Sequence, residues 1–345
     1  MRSILLMILM LSSSAHLVLG QSSVSVQPSL RYGQILGQPR DFKKALYGFS
    51  IDINKATYGE HIWQIAHKYP QMGIQFTATK SAEMMVGNQF SLIPYLEFNI
   101  WKSNFGTLQI KHGTGLAYVT RRHHQTSNPE NKLLGTKLNA ASIIDLGYLI
   151  KLGSALNVKA GFSLGHISNG NLVQPNAGLN SITGYGTMLY YFDGKSHEEK
   201  RENAPIQIKR WRYRFAAITG LYDYDKVTKN LHTNNQLSLL AFYQHGMRFR
   251  TGLGTEVSQL NRGSATATAI YAEEEVLIGH LVTRYGIGLY VLNPDEKSLL
   301  YEKVGIAWYP FPLKNQVAEK FSIGTAIKAH AFRAAHVEIA AGYTF

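Results

Sequence analysis

The stretch from Leu156 to Ser168 reads LNVKAGFSLGHIS, and the character of its residues alternates along the chain. One set of alternate positions is apolar, whereas the interleaved set consists mostly of polar residues and glycine. Successive side chains of a β-strand point to opposite faces, so the stretch predicts a strand with one continuous apolar face. This face ends in two polar side chains, those of His166 and Ser168.

The same alternation recurs along the chain with turn residues between the segments, which predicts about sixteen strands, with twelve to sixteen possible. The candidate strands begin near Ser29, Leu46, Met72, Leu92, Gly106, Lys137, Ala155, Leu179, Ile208, Asn235, Met247, Tyr271, Gly286, Leu300, Phe321 and His336. The last of them ends the chain on Phe345, which resembles the C-terminal signature of bacterial outer-membrane barrels.

The N-terminal twenty residues predict a secretory signal peptide that is not part of the fold. Arg2 precedes an apolar run, and the small residues from Ser12 to Gly20 suit cleavage, which we expect near Gly20. The remaining chain has no cysteine and no run of ~20 apolar residues, so disulfides and a membrane-spanning helix are excluded. The full chain is rich in tyrosine (20) and glycine (31), as outer-membrane barrels are.

These features predict an all-β chain in which residues 21–345 form one closed, antiparallel transmembrane β-barrel without a linker. Closure satisfies every backbone hydrogen bond in lipid. Short turns are expected at 103–104, 153–154, 245–246 and 284–285, and long outward loops at 121–136, 169–178, 223–234 and 259–268. The charged connection at 194–205 is long, although the alternation of short turns and long loops predicts a short one there.

His166 and Ser168 are candidates for a base and a nucleophile. Positions i and i+2 of a strand share a face ~6.5 Å apart along the backbone, and side chains that lean together reach hydrogen-bond range. An imidazole, with a reference pKa of ~6.5, can activate a serine hydroxyl near neutral pH. If the apolar face meets lipid, an ester in the membrane is the natural substrate.

Two asparagines complete the candidate catalytic group. Asn180 begins the next predicted strand on an apolar row, so a hairpin would bring it beside His166, where its carbonyl oxygen accepts the imidazole N–H. Asn169 follows the nucleophile and is the candidate oxyanion donor.

The net charge of +13 suggests nucleic acid as a partner, but export excludes it. The phosphates of outer-leaflet lipids are the expected anionic neighbours, with Arg121 and Arg122 as candidate contacts in an outer loop. The adjacent histidines that follow lack metal-site spacing, so no metal or cofactor is expected. The run Glu273 to Glu275 is predicted to be solvated.

The segment HISNGNLVQPNAGLNS, residues 166–181, resembles the active-site segment of outer-membrane lipid A 3-O-deacylases, the acyloxyacyl hydrolase family. The resemblance covers about 105–192, extends back to about residue 30 and stops near 195; the preceding strands resemble bacteroidete members. It implies a barrel in the outer membrane of a Gram-negative bacterium, with a hydrolase-like core over 30–192. It also implies removal of a 3-position ester-linked acyl chain from the lipid A of lipopolysaccharide, with His166 as base and Ser168 as nucleophile.

One departure keeps alternatives open. The deacylases carry glutamate where this chain has Asn180, and an asparagine there is similar to the outer-membrane phospholipase A family. Those enzymes bind calcium through groups just after the motif, but residues 171–175 contain no carboxylate, so no calcium requirement is expected. The alternatives are therefore a phospholipase A or a non-enzymatic barrel such as a porin.

Overall fold

A computed structural model describes residues 24–38, 42–192, 209–223, 231–259, 266–293, 298–310, 320–331 and 333–345. The predicted signal peptide, residues 1–20, lies outside these ranges. Within the described residues, no helix has the length and apolar character needed to cross a membrane.

The described chain contains sixteen strands and one short helix. The strands are β1 (Val24–Ile35), β2 (Ala45–Lys55), β3 (Gln71–Ser81), β4 (Asn88–Lys102), β5 (Gly106–Val119), β6 (Leu138–Lys151), β7 (Leu156–Ser168), β8 (Leu179–Tyr191), β9 (Lys209–Asp223), β10 (Leu231–His245), β11 (Phe249–Gln259), β12 (Thr266–Ile278), β13 (Leu281–Leu292), β14 (Leu300–Trp308), β15 (Lys320–His330) and β16 (Arg333–Thr344). The helix, α1 (Ile62–Ala66), lies between β2 and β3. The predicted number of strands is confirmed, but the turn expected at 284–285 is wrong, because β13 runs through it.

The strands close into two antiparallel barrels rather than one. Strands β1 to β8 pair in sequence order and β1 closes the first barrel against β8; β9 to β16 close the second in the same way. The prediction of a single closed sheet without a linker is therefore wrong. The long connection at 194–205, which does not fit the expected alternation of loops, lies outside the described residues, in the sequence between β8 and β9.

Buried ion pairs fill the interior of the first barrel. Arg31 contacts Asp145 at 3.2 Å and Lys159 contacts Glu97 at 2.7 Å. An eight-stranded barrel is only wide enough for side chains to fill it, so these residues occupy the space that a channel would need.

Glutamates and basic residues fill the second barrel in the same way. Arg214 is buried between Glu273 and Glu275. Glu256 accepts hydrogen bonds from Lys303 and Lys328, each at 2.6 Å. The prediction of a solvated glutamate run is thus wrong for Glu273 and Glu275, whose alternate positions point into the barrel.

The outward faces of both barrels are apolar. Large exposed side chains alternate with buried polar ones along the strands, among them Leu30, Phe49, Phe162, Leu164, Leu253 and Ile287. This distribution is the inverse of a water-soluble barrel and is typical of a barrel in lipid.

The two barrels contact each other at both ends. We call the end that carries the β5–β6 and β7–β8 connections the loop end. There, Asn171 Nδ2 donates to the carbonyl oxygen of Ala335 at 2.9 Å. At the opposite end, His67 Nε2 contacts the carbonyl oxygen of Leu277 at 2.8 Å. Burial lowers the pKa of His67, which favours the neutral imidazole that donates this bond.

Candidate active site

His166 and Asn180 lie directly opposite each other on β7 and β8, and both side chains are exposed on the outer face of the first barrel. His166 Nδ1 lies 2.6 Å from Asn180 Oδ1. An amide oxygen only accepts, so Nδ1 carries the proton and Nε2 of the neutral ring keeps its lone pair. The hairpin contact predicted from the two rows is present, and it leaves Nε2 as the basic atom.

Ser168 ends β7 on the same face, but its side chain is buried, with 3% of the residue exposed. Its Oγ accepts hydrogen bonds from the backbone N–H of Gly170 at 3.0 Å and from Asn176 Nδ2 at 2.9 Å. In the described structure these two groups, rather than His166, are its hydrogen-bond partners. Two donors therefore converge on the candidate nucleophile.

The loop 169–178 depends on glycine at two positions beside the site. Gly170 has φ +66°, and a Cβ there would lie 2.3 Å from Val337 Cγ2 of the second barrel. Gly178 has φ +78°, and a Cβ there would lie 3.0 Å from His166 Cε1. Glycine therefore allows the loop to turn back against both the histidine and the second barrel.

Asn169 is placed differently from the prediction. Its side-chain amide donates to Val173 O at 2.8 Å and to Thr136 Oγ1 at 3.1 Å. Its backbone N–H donates to Asn176 Oδ1 at 3.1 Å. Because these donors are engaged by Thr136, Val173 and Asn176, Asn169 orients Asn176 instead of donating to Ser168. Asn176 was not among the residues predicted for the site, and the signal that could have found it is its place in the stretch Gln174-Pro175-Asn176.

A cavity of about 950 Å³ contains His166 and Ser168, and we call it the site cavity. The first barrel supplies most of its lining, and the second supplies Ile327, Ala329, Arg333 and Ala334. Its basic side chains come from both barrels and are those of Arg122, His123, His124, Lys132 and Arg333. The cavity thus combines a candidate nucleophile with a cationic rim.

The two arginines predicted to contact substrate are separated by the fold. Arg122 lines the site cavity and its Nη1 donates to Gly135 O at 3.3 Å. Arg121 is not among the residues that line it, and its side chain lies beside Gly87. Over the described part of the chain, no group of three His, Asp or Glu side chains is placed to hold a metal ion.

Two family models match the chain. Residues 44–188 match the model described as lipid A 3-O-deacylase (PagL), and residues 211–345 match the model described as acyloxyacyl hydrolase, C-terminal domain. The chain belongs to the lipid A 3-O-deacylase and acyloxyacyl hydrolase family. The second model covers nearly the whole second barrel, so the prediction that the resemblance stops near residue 195 was wrong. No curated protein matches the chain.

Solved structures of outer-membrane proteins are also similar. The crystal structure of the outer membrane enzyme PagL is 20% identical, with TM-score 0.33, over 47% of this chain and 97% of that chain. The translocator domain of the autotransporter NalP from Neisseria meningitidis is 9% identical, with TM-score 0.24, over 100% and 96% of the two chains. Membership of the family rests on the two family models.

Proposed function

We propose that this protein is an outer-membrane serine esterase that removes an ester-linked 3-hydroxyacyl chain from lipid A. The observation that carries the proposal is the arrangement of Ser168 between two hydrogen-bond donors, beside the oriented pair His166–Asn180, on the apolar outer wall of a barrel. Family membership supports hydrolysis of lipid A esters, and the local geometry supports a serine mechanism.

In the proposed reaction, His166 Nε2 removes the proton from Ser168 Oγ as the oxygen attacks the ester carbonyl. The hydroxyl turns from its resting contacts to the imidazole when substrate enters, because catalytic hydrogen bonds tighten in the complex. The imidazolium then protonates the leaving sugar hydroxyl. Water, deprotonated by the same imidazole, hydrolyses the acyl-serine and releases the fatty acid.

The Gly170 N–H and Asn176 Nδ2 are the proposed oxyanion donors, in place of Asn169. Both lie within 3.0 Å of Ser168 Oγ, so they are close to where the carbonyl oxygen becomes negative. A loss of one such donor costs ~10²–10³ in kcat in a well-studied protease. Asn180 orients the imidazole, but a neutral amide stabilises an imidazolium less than a carboxylate does.

The cationic rim supports an anionic glycolipid as substrate. Arg122, Lys132 and Arg333 line the site cavity where sugar phosphates would meet them, while the acyl chains face the apolar wall. We therefore place the loop end at the outer leaflet, among lipopolysaccharide and other outer-membrane lipids, after export and removal of residues 1–20. The hydrolase core is then the first barrel, over about 30–192.

Phospholipase A activity is the second candidate, since the neutral Asn180 pairs with His166 in the way that the resemblance to that family implies. A porin function has less support, because buried ion pairs occupy both barrel interiors. Calcium-stimulated release of fatty acid from phosphatidylethanolamine, with lipid A left intact, would favour the phospholipase.

The deciding experiment is mass spectrometry of lipid A from cells that express the wild type or Ser168→Ala. We expect loss of one 3-hydroxyacyl chain with the wild type and none with the variant, while the heat-modifiable mobility of the folded barrel stays unchanged. Ser163→Ala is a matched control, since Ser163 lies on the same strand but is buried on its inner face. If the Ser168→Ala variant deacylated lipid A as fully as the wild type, the proposed mechanism would be excluded.

A further inference from the structure

A second cavity, of about 1140 Å³, lies between the two barrels, and most of its lining surface is apolar. We call it the apolar cavity. Its lining from the first barrel includes Ile74, Leu96 and Ile110, and its lining from the second includes Ile278, Leu281 and Ile306. These are outward side chains of two barrel walls that face each other, so the cavity is a slot with an apolar wall on each side.

A row of polar side chains links the apolar cavity to the candidate active site. Thr114 on β5 pairs with Ser142 on β6, and Ser142 pairs with His166 on β7. Thr114 Oγ1 and Ser142 Oγ lie 3.1 Å apart. Thr114 lines the apolar cavity and His166 lines the site cavity, and neighbours across strands are ~5 Å apart. The slot therefore begins about two strands from the catalytic histidine.

From Thr114 the slot follows β5 away from the loop end. Ile110 also lines it, four residues earlier on β5, a distance of ~13 Å along a strand. Beyond it, Trp63 of α1 lies against Gly279, where a Cβ would be 3.1 Å from Trp63 Cδ1. The helix thus stands at the far end of the slot, where the barrels also meet through His67 and Leu277.

We propose that the apolar cavity binds the hydrocarbon tail of a fatty acyl chain whose ester is held at Ser168. The identity of the ester rests on the proposed esterase function. The position of the tail rests on the fold. An acyl chain that descends from a headgroup at the loop end runs along the barrel wall toward the opposite end, as the slot does. Apolar side chains contact an occupant of the slot from two sides. Such an environment favours a hydrocarbon chain over water or a sugar.

The second barrel is what makes the slot a binding site. The outer wall of one barrel would leave the tail open to bulk lipid, which contacts hydrocarbon equally well and gives no selectivity. Side chains of β12, β13 and β14 close the second side, and α1 limits the depth. Acyl-chain length is therefore selected between the barrels, and the second barrel has a role in substrate choice.

Photolabelling tests the site without relying on catalysis. Full-length Ser168→Ala protein in nanodiscs would be labelled with tetradecanoic acid that carries a diazirine near its methyl end, and the labelled peptides mapped. We expect label on β5 and on β12 to β14, and loss of most of it in Thr283→Trp, which fills the slot from the second barrel. The matched control is Ile287→Trp, on the same face of β13 but outside the slot.

The proposal would be overturned if the label spread evenly over the outward faces of both barrels, or if Thr283→Trp did not reduce it. Either result would show that the probe contacts the protein only from the surrounding lipid. Ile306→Trp fills the slot from β14 and replaces Thr283→Trp if that variant does not fold. Since the labelled protein lacks Ser168, this result is readable even if the proposed esterase function fails.

Chain-length selectivity is the second measurement. With active protein, we expect Thr283→Trp to lower kcat/KM for a tetradecanoyl ester about tenfold relative to a hexanoyl ester. Ile287→Trp should leave the ratio of the two esters unchanged. An unchanged ratio in Thr283→Trp, in protein that still cleaves the hexanoyl ester, would show that the tail lies elsewhere.

Discussion

Asp223, the last residue of β9 in the second barrel, accepts a hydrogen bond through Oδ2 from the backbone N–H of Gln174 in the first, at 3.2 Å. Its own backbone N–H donates to Asn171 O at 2.9 Å. Asp223 is buried, with 3% of its surface exposed. Both bonds hold the loop 169–178, which carries the candidate oxyanion donor Asn176. The second barrel is thus attached directly to the loop that completes the site.

We expect Asp223→Ala to lower kcat about tenfold with little change in KM, because the Gln174 N–H loses its acceptor and the loop is held less firmly. Ester hydrolysis in detergent micelles measures both constants. Asp223→Asn keeps an acceptor oxygen and should recover most of the activity. Equal losses in the two variants, or a change in KM alone, would contradict a positioning role.

Asn180→Glu should raise kcat by roughly tenfold or more, because a carboxylate stabilises the imidazolium that forms on His166 better than an amide does. The same kinetic measurement applies. Asn180→Gln is the matched control, since it has the length of glutamate without its charge, and it should show no gain. A gain of equal size in both variants would mean that side-chain length, rather than charge, limits the rate.

Asn176→Ala should lower kcat by roughly 10²–10³ while KM changes little, because it removes a donor that acts mainly in the transition state. The expected signature is slow acylation in single-turnover experiments with folded protein. If Asn176→Ala kept the wild-type kcat and Asn169→Ala lost it, the oxyanion role would return to Asn169.

Glu275→Gln should lower the free energy of unfolding by about 3–5 kcal/mol, because it removes a buried carboxylate that pairs with Arg214 and Arg284. Urea denaturation of the folded protein in lipid vesicles measures this loss. Its neighbour Glu274 points outward and is only partly buried, so Glu274→Gln should cost no more than ~1 kcal/mol. If Glu275→Gln and Glu274→Gln lowered the free energy of unfolding by similar amounts, the buried ion pairs of Glu275 would not be what stabilises the second barrel.

Alternation of side chains was enough to predict the strands and the hairpin contact between His166 and Asn180. Both are local: an i, i+2 row and a ten-residue connection determine which side chains share a face. The same pattern misplaced the glutamate run, because alternation does not tell whether a charged row meets solvent or buried arginines. The role of Asn176 was also not predicted, because its side chain is oriented by a loop and not by strand periodicity.

The sequence by itself determined the all-β class, the sixteen strands, the apolar outer faces and the shared face of His166 and Ser168, because each follows from the period-two geometry of a strand. Only the tertiary structure decided that the strands form two barrels. That outcome depends on which distant strands pair, as where Ser29 Oγ reaches Thr187 Oγ1, 158 positions away, to close the first barrel. The same long-range packing attaches Asp223 to the loop 169–178 and creates the cavities between the barrels. No local pattern encodes contacts between surfaces so far apart in the chain.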